Sequence, residues 1–167
     1  MEELDLTENP ITTLTGIRGC KSLKKLNLTQ CKLEKFDEIP DLPALEEINL
    51  TQCPIADLNE LSSFMKWKNL NNINLTETPL SEEKGEDLKK EVMILLDGLK
   101  FKMFNGEEVT EEEIQEAKQE KEERIKAAEE ARLAAEEEAR VAAEEARVAA
   151  EEEAAAKKAA EEAEKDD

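Results

Sequence analysis

Four stretches decide the reading: Met1-Glu-Glu-Leu-Asp-Leu-Thr-Glu-Asn9-Pro-Ile11, Leu23-Lys-Lys-Leu-Asn-Leu-Thr-Gln-Cys31-Lys-Leu33, Leu45-Glu-Glu-Ile-Asn-Leu-Thr-Gln-Cys53-Pro-Ile55 and Leu70-Asn-Asn-Ile-Asn-Leu-Thr-Glu-Thr78-Pro-Leu80. They align without a gap, and their first residues stand 22, 22 and 25 positions apart. The apolar series continues in register beyond them as Leu14 and Ile17, Phe36 and Ile39, Leu58 and Leu61. A unit this short cannot bury its own apolar face, so copies must stack on one another.

The repeated string is LxxLxLxxN/CxL, and in this it resembles the leucine-rich-repeat proteins. The resemblance implies an α/β solenoid, with a short strand from each repeat joining a parallel concave sheet and a loop or helical turn closing the convex side. It also implies that Asn9, Cys31, Cys53 and Thr78 turn inward and hydrogen-bond neighbouring backbone, which makes Cys31 and Cys53 structural thiols rather than redox or metal groups. Three columns then face outward: Asp5, Asn27, Asn49 and Asn74; Thr7, Thr29, Thr51 and Thr76; Glu8, Gln30, Gln52 and Glu77. They form either a partner-binding face or a solvated ladder in which neighbours support each other. The same columns create Asn-x-Thr sequons at Asn27, Asn49 and Asn74, which the repeat itself explains.

Solenoid ends need covers. From Ser81 to Gly98 the sequence predicts an amphipathic capping helix with Leu88, Val92, Leu95, Leu96 and Leu99 on one face. Leu99 to Thr110 resembles the C-terminal cap of intracellular leucine-rich-repeat proteins, a strand-like segment ending in a Gly turn, Val-Thr and acidic residues. At the other end the first repeat starts at Met1 itself, so an upstream region or another chain is expected to cover that edge.

Thr110 and Glu113 have the spacing of a capping box, and no Gly or Pro follows through Asp167. That permits one helix of up to 57 residues, about 85 Å long. Acid-to-base pairs four apart support it at Glu120–Arg124, Glu122–Lys126, Glu136–Arg140, Glu153–Lys157 and Glu161–Lys165. The bulky apolar residues Ile114, Ile125, Leu133, Val141 and Val148 form only a shifting seam, spaced 11, 8, 8 and 7. Solitary helix and coiled coil both remain open, with fraying expected toward the end. The expected division is 1–80 repeats, 81–110 cap and 111–167 helix.

Composition removes most other functions. The 167 residues carry 43 acids against 23 Lys and Arg, net −20, and no His. Nucleic acid and anionic membranes would repel such a chain. Without His the usual near-neutral base and commonest metal ligand are missing, and no phosphate loop or nucleophile elbow occurs. The reading is a non-enzyme with no cofactor. The charge is concentrated at the end: residues 107–167 hold 24 acids, 10 bases and 18 Ala. Three Cys without a CxxC pair or a secretory h-region predict a cytosolic chain with reduced thiols.

The run from Glu77 through Val92, then Leu95-Leu-Asp-Gly-Leu99, Asn105-Gly-Glu-Glu-Val-Thr110 and a Glu/Arg-rich helix, resembles the leucine-rich-repeat proteins of ciliary axonemes, radial-spoke members above all. This implies a structural adaptor in the cytoskeleton of cilia and flagella, bound to protein subunits of a large complex through repeats and helix. The alternative is an acidic nuclear regulator of histones or a phosphatase, although such tails are nearly pure Asp and Glu. A third reading is a spliceosomal-type module that holds an RNA-binding partner protein.

Overall fold

In the computed structural model, which describes the backbone of residues 1–163 and side chains to residue 158, each repeat contributes a three-residue strand. These are β1 (Glu3–Asp5), β2 (Lys25–Asn27), β3 (Glu47–Asn49) and β4 (Asn72–Asn74). They pair in parallel and in sequence order, Leu4 opposite Leu26, Leu26 opposite Ile48 and Ile48 opposite Ile73. The pairing continues past the strand ends. Leu28 N–H donates to Asn49 O at 2.8 Å and Gln30 N–H to Thr51 O at 2.9 Å, and the next repeat does the same through Leu50 and Gln52. Backbone donors that face a neighbouring repeat are thereby satisfied, which is why the stack needs several copies.

The apolar positions of the repeat become layers of one core. Leu23, Leu45 and Leu70, then Leu26, Ile48 and Ile73, then Leu28, Leu50 and Leu75, are all fully or almost fully buried. At roughly 2 kcal/mol for each buried Leu or Ile, this repetition is the main stabilising term. The convex side uses single-turn 3₁₀ helix at Thr15–Ile17 and a nine-residue 3₁₀ segment at Leu58–Lys66. The longer segment accounts for the 25-residue spacing of the third repeat. Asp57 caps it by accepting from Asn59 N–H, and its buried face carries Leu61 and Phe64. Phe64 stacks on Trp67 with centroids 5.0 Å apart and meets Phe36 edge-on at 4.8 Å. The Trp67 indole N–H donates to Pro40 O at 2.9 Å, so its polar end is satisfied inside the core.

The cap departs from the single expected helix. Thr78 caps α1 (Pro79–Lys84) through a reciprocal box with Ser81, Gly85 turns the chain at φ 55°, and α2 (Asp87–Leu95) follows. A turn at φ 55° and ψ −128° suits glycine and interrupts helical backbone, a signal that amphipathic spacing alone does not weigh. Leu88, Val92, Leu96 and Leu99 are buried as anticipated, whereas Leu95 is only half-buried and Met93 takes a core position instead. Strand β5 (Met103–Phe104) then adds in parallel to β4, and β6 (Glu107–Glu108) turns back antiparallel through Asn105-Gly106.

Helix α3 (Glu111–Ala163) begins at the capping box: Thr110 N–H donates to Glu113 at 2.8 Å and Glu113 N–H to Thr110 Oγ1 at 3.3 Å. The first compact unit runs Met1–Lys121 and so takes in the opening turns of α3. Ala117 is buried there and Ile114 packs against the core. Three ion pairs tie this start down, Lys89–Glu113 at 2.6 Å, Lys90–Glu120 at 2.9 Å and Lys121–Asp97 at 3.0 Å. The Lys89 ammonium and the Thr110 amide hold the Glu113 carboxyl below its ordinary range. A depressed folded pKa contributes stability at neutral pH that is lost as pH falls below ~4. Glu113→Gln is therefore expected to lower the urea midpoint at neutral pH, with the gap to the parent closing on acidification.

The second unit, Glu122–Asp167, is helical over its described residues. Exposed pairs run along it at Arg132–Glu136, Arg140–Glu137, Arg147–Glu144 and Lys157–Glu153. Of the anticipated pairs, Glu153–Lys157 forms at 2.6 Å, while Arg140 turns to Glu137, one residue nearer than Glu136. The fraying expected after about Glu153 is not seen through Ala163, which stays helical, while Glu161–Lys165 lies outside the described side chains. Each such pair contributes roughly 0.2–0.5 kcal/mol, so Ala propensity and many small terms sustain the helix.

Candidate protein-binding site

The sheet sets the geometry of its outward columns. In every repeat the Asn or Asp that ends the strand folds its side-chain oxygen back onto the Thr two residues later. Asn49 Oδ1 accepts from Thr51 N–H at 3.0 Å and Thr51 Oγ1–H at 2.7 Å, and Asp5, Asn27 and Asn74 bind Thr7, Thr29 and Thr76 in the same way. The Thr7 hydroxyl and amide also hold the Asp5 carboxyl below its ordinary value. These side chains carry an Asx turn that ends each strand.

The third column serves the same bend. Glu8, Gln30, Gln52 and Glu77 all take left-handed backbone at φ 55–59°. Gln30 donates to Gln52 and Gln52 to Glu77, a side-chain ladder along the solenoid edge. The carboxamide oxygens of the first column and the hydroxyls of the second are thus committed to the chain's own turns.

The outward residue at the start of each strand completes the concave surface: Glu3, Lys25, Glu47 and Asn72. Lys25 lies between two acids, 3.7 Å from Glu3 and 3.8 Å from Glu47. Asp5, Asn27 and Asn49 join them around a shallow groove of about 230 Å³. This column is not among the outward residues the repeat pattern pointed to, although two-residue alternation about the inward Leu4, Leu26, Ile48 and Ile73 marks it.

The inward column is built from hydrogen bonds to the preceding repeat or turn. Cys31 Sγ–H donates to Leu6 O at 3.2 Å and Cys53 Sγ–H to Leu28 O at 3.1 Å. Thr78 Oγ1–H reaches Leu75 O at 2.8 Å. Asn9 departs from the expected inward position: its Nδ2–H reaches Leu6 O at 3.0 Å, but the residue is exposed because, among the described residues, the first repeat has none before it to cover it. Burial pushes the Cys53 thiol up to about 11 and raises Cys31 as well. Since the thiolate is the nucleophile, alkylation of the native protein is expected at the half-buried Cys20 first, with Cys31 and Cys53 reacting only after denaturation. Peptide mapping after iodoacetamide checks this order.

On the helix, Ile125, Leu133, Val141 and Val148 are 56%, 52%, 46% and 43% exposed. Ile114 does not share their surface, because the ion-paired start of α3 draws it against the cap. Among the described residues, no group of three or more His, Cys, Asp or Glu side chains is placed to hold a metal, and no helix is long and apolar enough to cross a membrane.

Repeat, parallel sheet, inward Cys/Thr column and cap define a leucine-rich-repeat solenoid fold. A family model for leucine-rich repeats in two copies matches residues 1–43. Among solved structures, the chain is similar to one in the crystal structure of the Drosophila melanogaster SNF/U2A′ complex, at TM-score 0.65 and 18% identity, covering 76% of this chain and 75% of that one. No curated protein matches in sequence.

Proposed function

We propose that this chain is a scaffold subunit that grips another protein across its concave face while α3 engages further subunits of a large complex. The observation that carries the reading is the preformed surface itself. Its backbone donors are paired, its turns are locked by Asn and Thr, and a column of Glu3, Lys25, Glu47 and Asn72 is presented in fixed register. A surface ordered before contact binds with little further entropic cost. The exposed Ile125, Leu133, Val141 and Val148 give α3 an apolar seam for a partner helix or coiled coil.

The assembly we assign is a ciliary axonemal one, a radial spoke or neighbouring complex, on the resemblance carried by Glu77–Val92, Asn105–Thr110 and the Glu/Arg-rich helix. A second reading is a tighter two-protein module, supported by similarity to a chain from a structure described as a complex. Cross-linking in extracts of the source cells, followed by mass spectrometry, separates them. The axonemal assignment expects links from Lys25 and from Lys118, Lys121 or Lys126 to axonemal subunits, stable in high salt. Links to a single RNA-binding protein replace it with the second reading, and histone links that vanish with salt replace it with the nuclear one.

A further inference from the structure

Asn105-Gly106 is the only Asn-Gly dipeptide in the chain, and it forms the whole two-residue turn between β5 and β6. This dipeptide has its own chemistry. The Gly amide nitrogen attacks the Asn carboxamide carbon, a C–N bond forms, the bond to Nδ2 breaks and ammonia leaves. Water then opens the five-membered imide at either carbonyl, giving Asp or isoAsp. Glycine favours the attack because no side chain shields its nitrogen.

The fold ties Asn105 down at both its backbone and its side chain. Asn105 N–H donates to Ile73 O at 3.0 Å, and Asn105 Oδ1 accepts from the N–H of buried Leu75 at 2.7 Å. Both anchors lie on the adjacent repeat, so attack by the Gly106 nitrogen requires the carboxamide to give up its bond to Leu75 N–H. The backbone is fixed as well. Asn105 at φ 51° and Gly106 at φ 82° have the signs of a type I′ hairpin turn, and β5 pairs on both sides, with β4 and with β6.

We propose that Asn105 is a modification site gated by the cap: it deamidates only when β5 and β6 leave β4, and the isoAsp product then keeps the cap open. Two products have two consequences. Asp retains an acceptor for Leu75 N–H and fits the turn with one added negative charge. IsoAsp inserts a methylene into the main chain of a two-residue turn, which breaks the register of Phe104 with Glu107 and Met103 with Glu108.

The test incubates the full chain at mildly alkaline pH, native and in urea, and follows the 105–106 peptide by mass spectrometry. IsoAsp is scored by enzymatic carboxyl methylation. Isomerisation at Asp97-Gly98 leaves the mass unchanged, so it does not enter the mass readout. The native rate is expected to be at least roughly tenfold below that in urea, because local opening must precede reaction. Val109→Ala, which loosens packing beside the turn, is expected to bring the native rate toward the urea rate. Equal rates in native and denatured chain overturn the gate, and so does a Val109→Ala chain that shows measurably faster exchange of the Leu75 amide with no faster deamidation. Absence of reaction in urea overturns the site itself.

Discussion

Trp67→Ala is expected to lower the stability of the repeat unit by about 3–5 kcal/mol. The side chain is fully buried, stacked on Phe64 and hydrogen-bonded to Pro40 O, and its removal leaves both a cavity and an unpaired carbonyl. Small domains hold only about 5–15 kcal/mol in total, so a large share of the native margin goes. Far-UV dichroism would be dominated by α3, and Trp67 is the only Trp. The measurement is therefore urea unfolding followed by hydrogen exchange at Leu50 and Leu75, whose amides bond to Asn74 O and Asn105 Oδ1. Trp67→Phe keeps most of the ring packing and is expected to cost about 1–3 kcal/mol, mainly for the Pro40 carbonyl.

Asn105→Val has the next largest effect, about 2–5 kcal/mol. A β-branched residue at φ 51° adds about 1–2 kcal/mol of backbone strain, and the buried Leu75 N–H loses its acceptor at a further ~1–3 kcal/mol. Asn105→Gly separates the terms, since it tolerates the dihedral and fails only the hydrogen bond. Asn105→Asp keeps both and is expected near the parent. The same exchange experiment reads all three, with loss concentrated at Leu75 rather than at Leu50.

Both effects show where sequence was informative. Leu26, Ile48 and Ile73 announce the parallel sheet through spacing alone, because a fixed repeat forces identical side chains into successive layers. The Asn105-Gly106 turn was legible through the resemblance to the C-terminal cap, which implies a Gly turn there; the positive φ of both residues is what Asn-Gly accommodates. The break at Gly85 was not, since periodicity over Ser81–Gly98 is satisfied equally by one helix or two.

The candidate site was harder to read than the fold. Asn27, Asn49 and Asn74 are outward and polar, which suits a binding face, yet a local hydrogen bond to the Thr two residues on already occupies each carboxamide oxygen. Ile114 has the apolar character of the helix seam, but the ion pairs beside it, Lys89–Glu113 and Lys121–Asp97, join residues 24 apart in sequence that no spacing rule connects.

The central claim is that the concave face binds a protein partner, and Asn72→Arg tests it most directly. Asn72 sits half-buried in the outward column, where a long cation obstructs approach without breaking the Asn49 or Asn74 turns. With the partner recovered through Lys25 cross-links, the account predicts at least about tenfold weaker binding for Asn72→Arg, as for a central interface position. The urea midpoint is expected to stay where it is. Unchanged affinity in a variant that folds normally would contradict the claim and move the interaction to another surface of the chain.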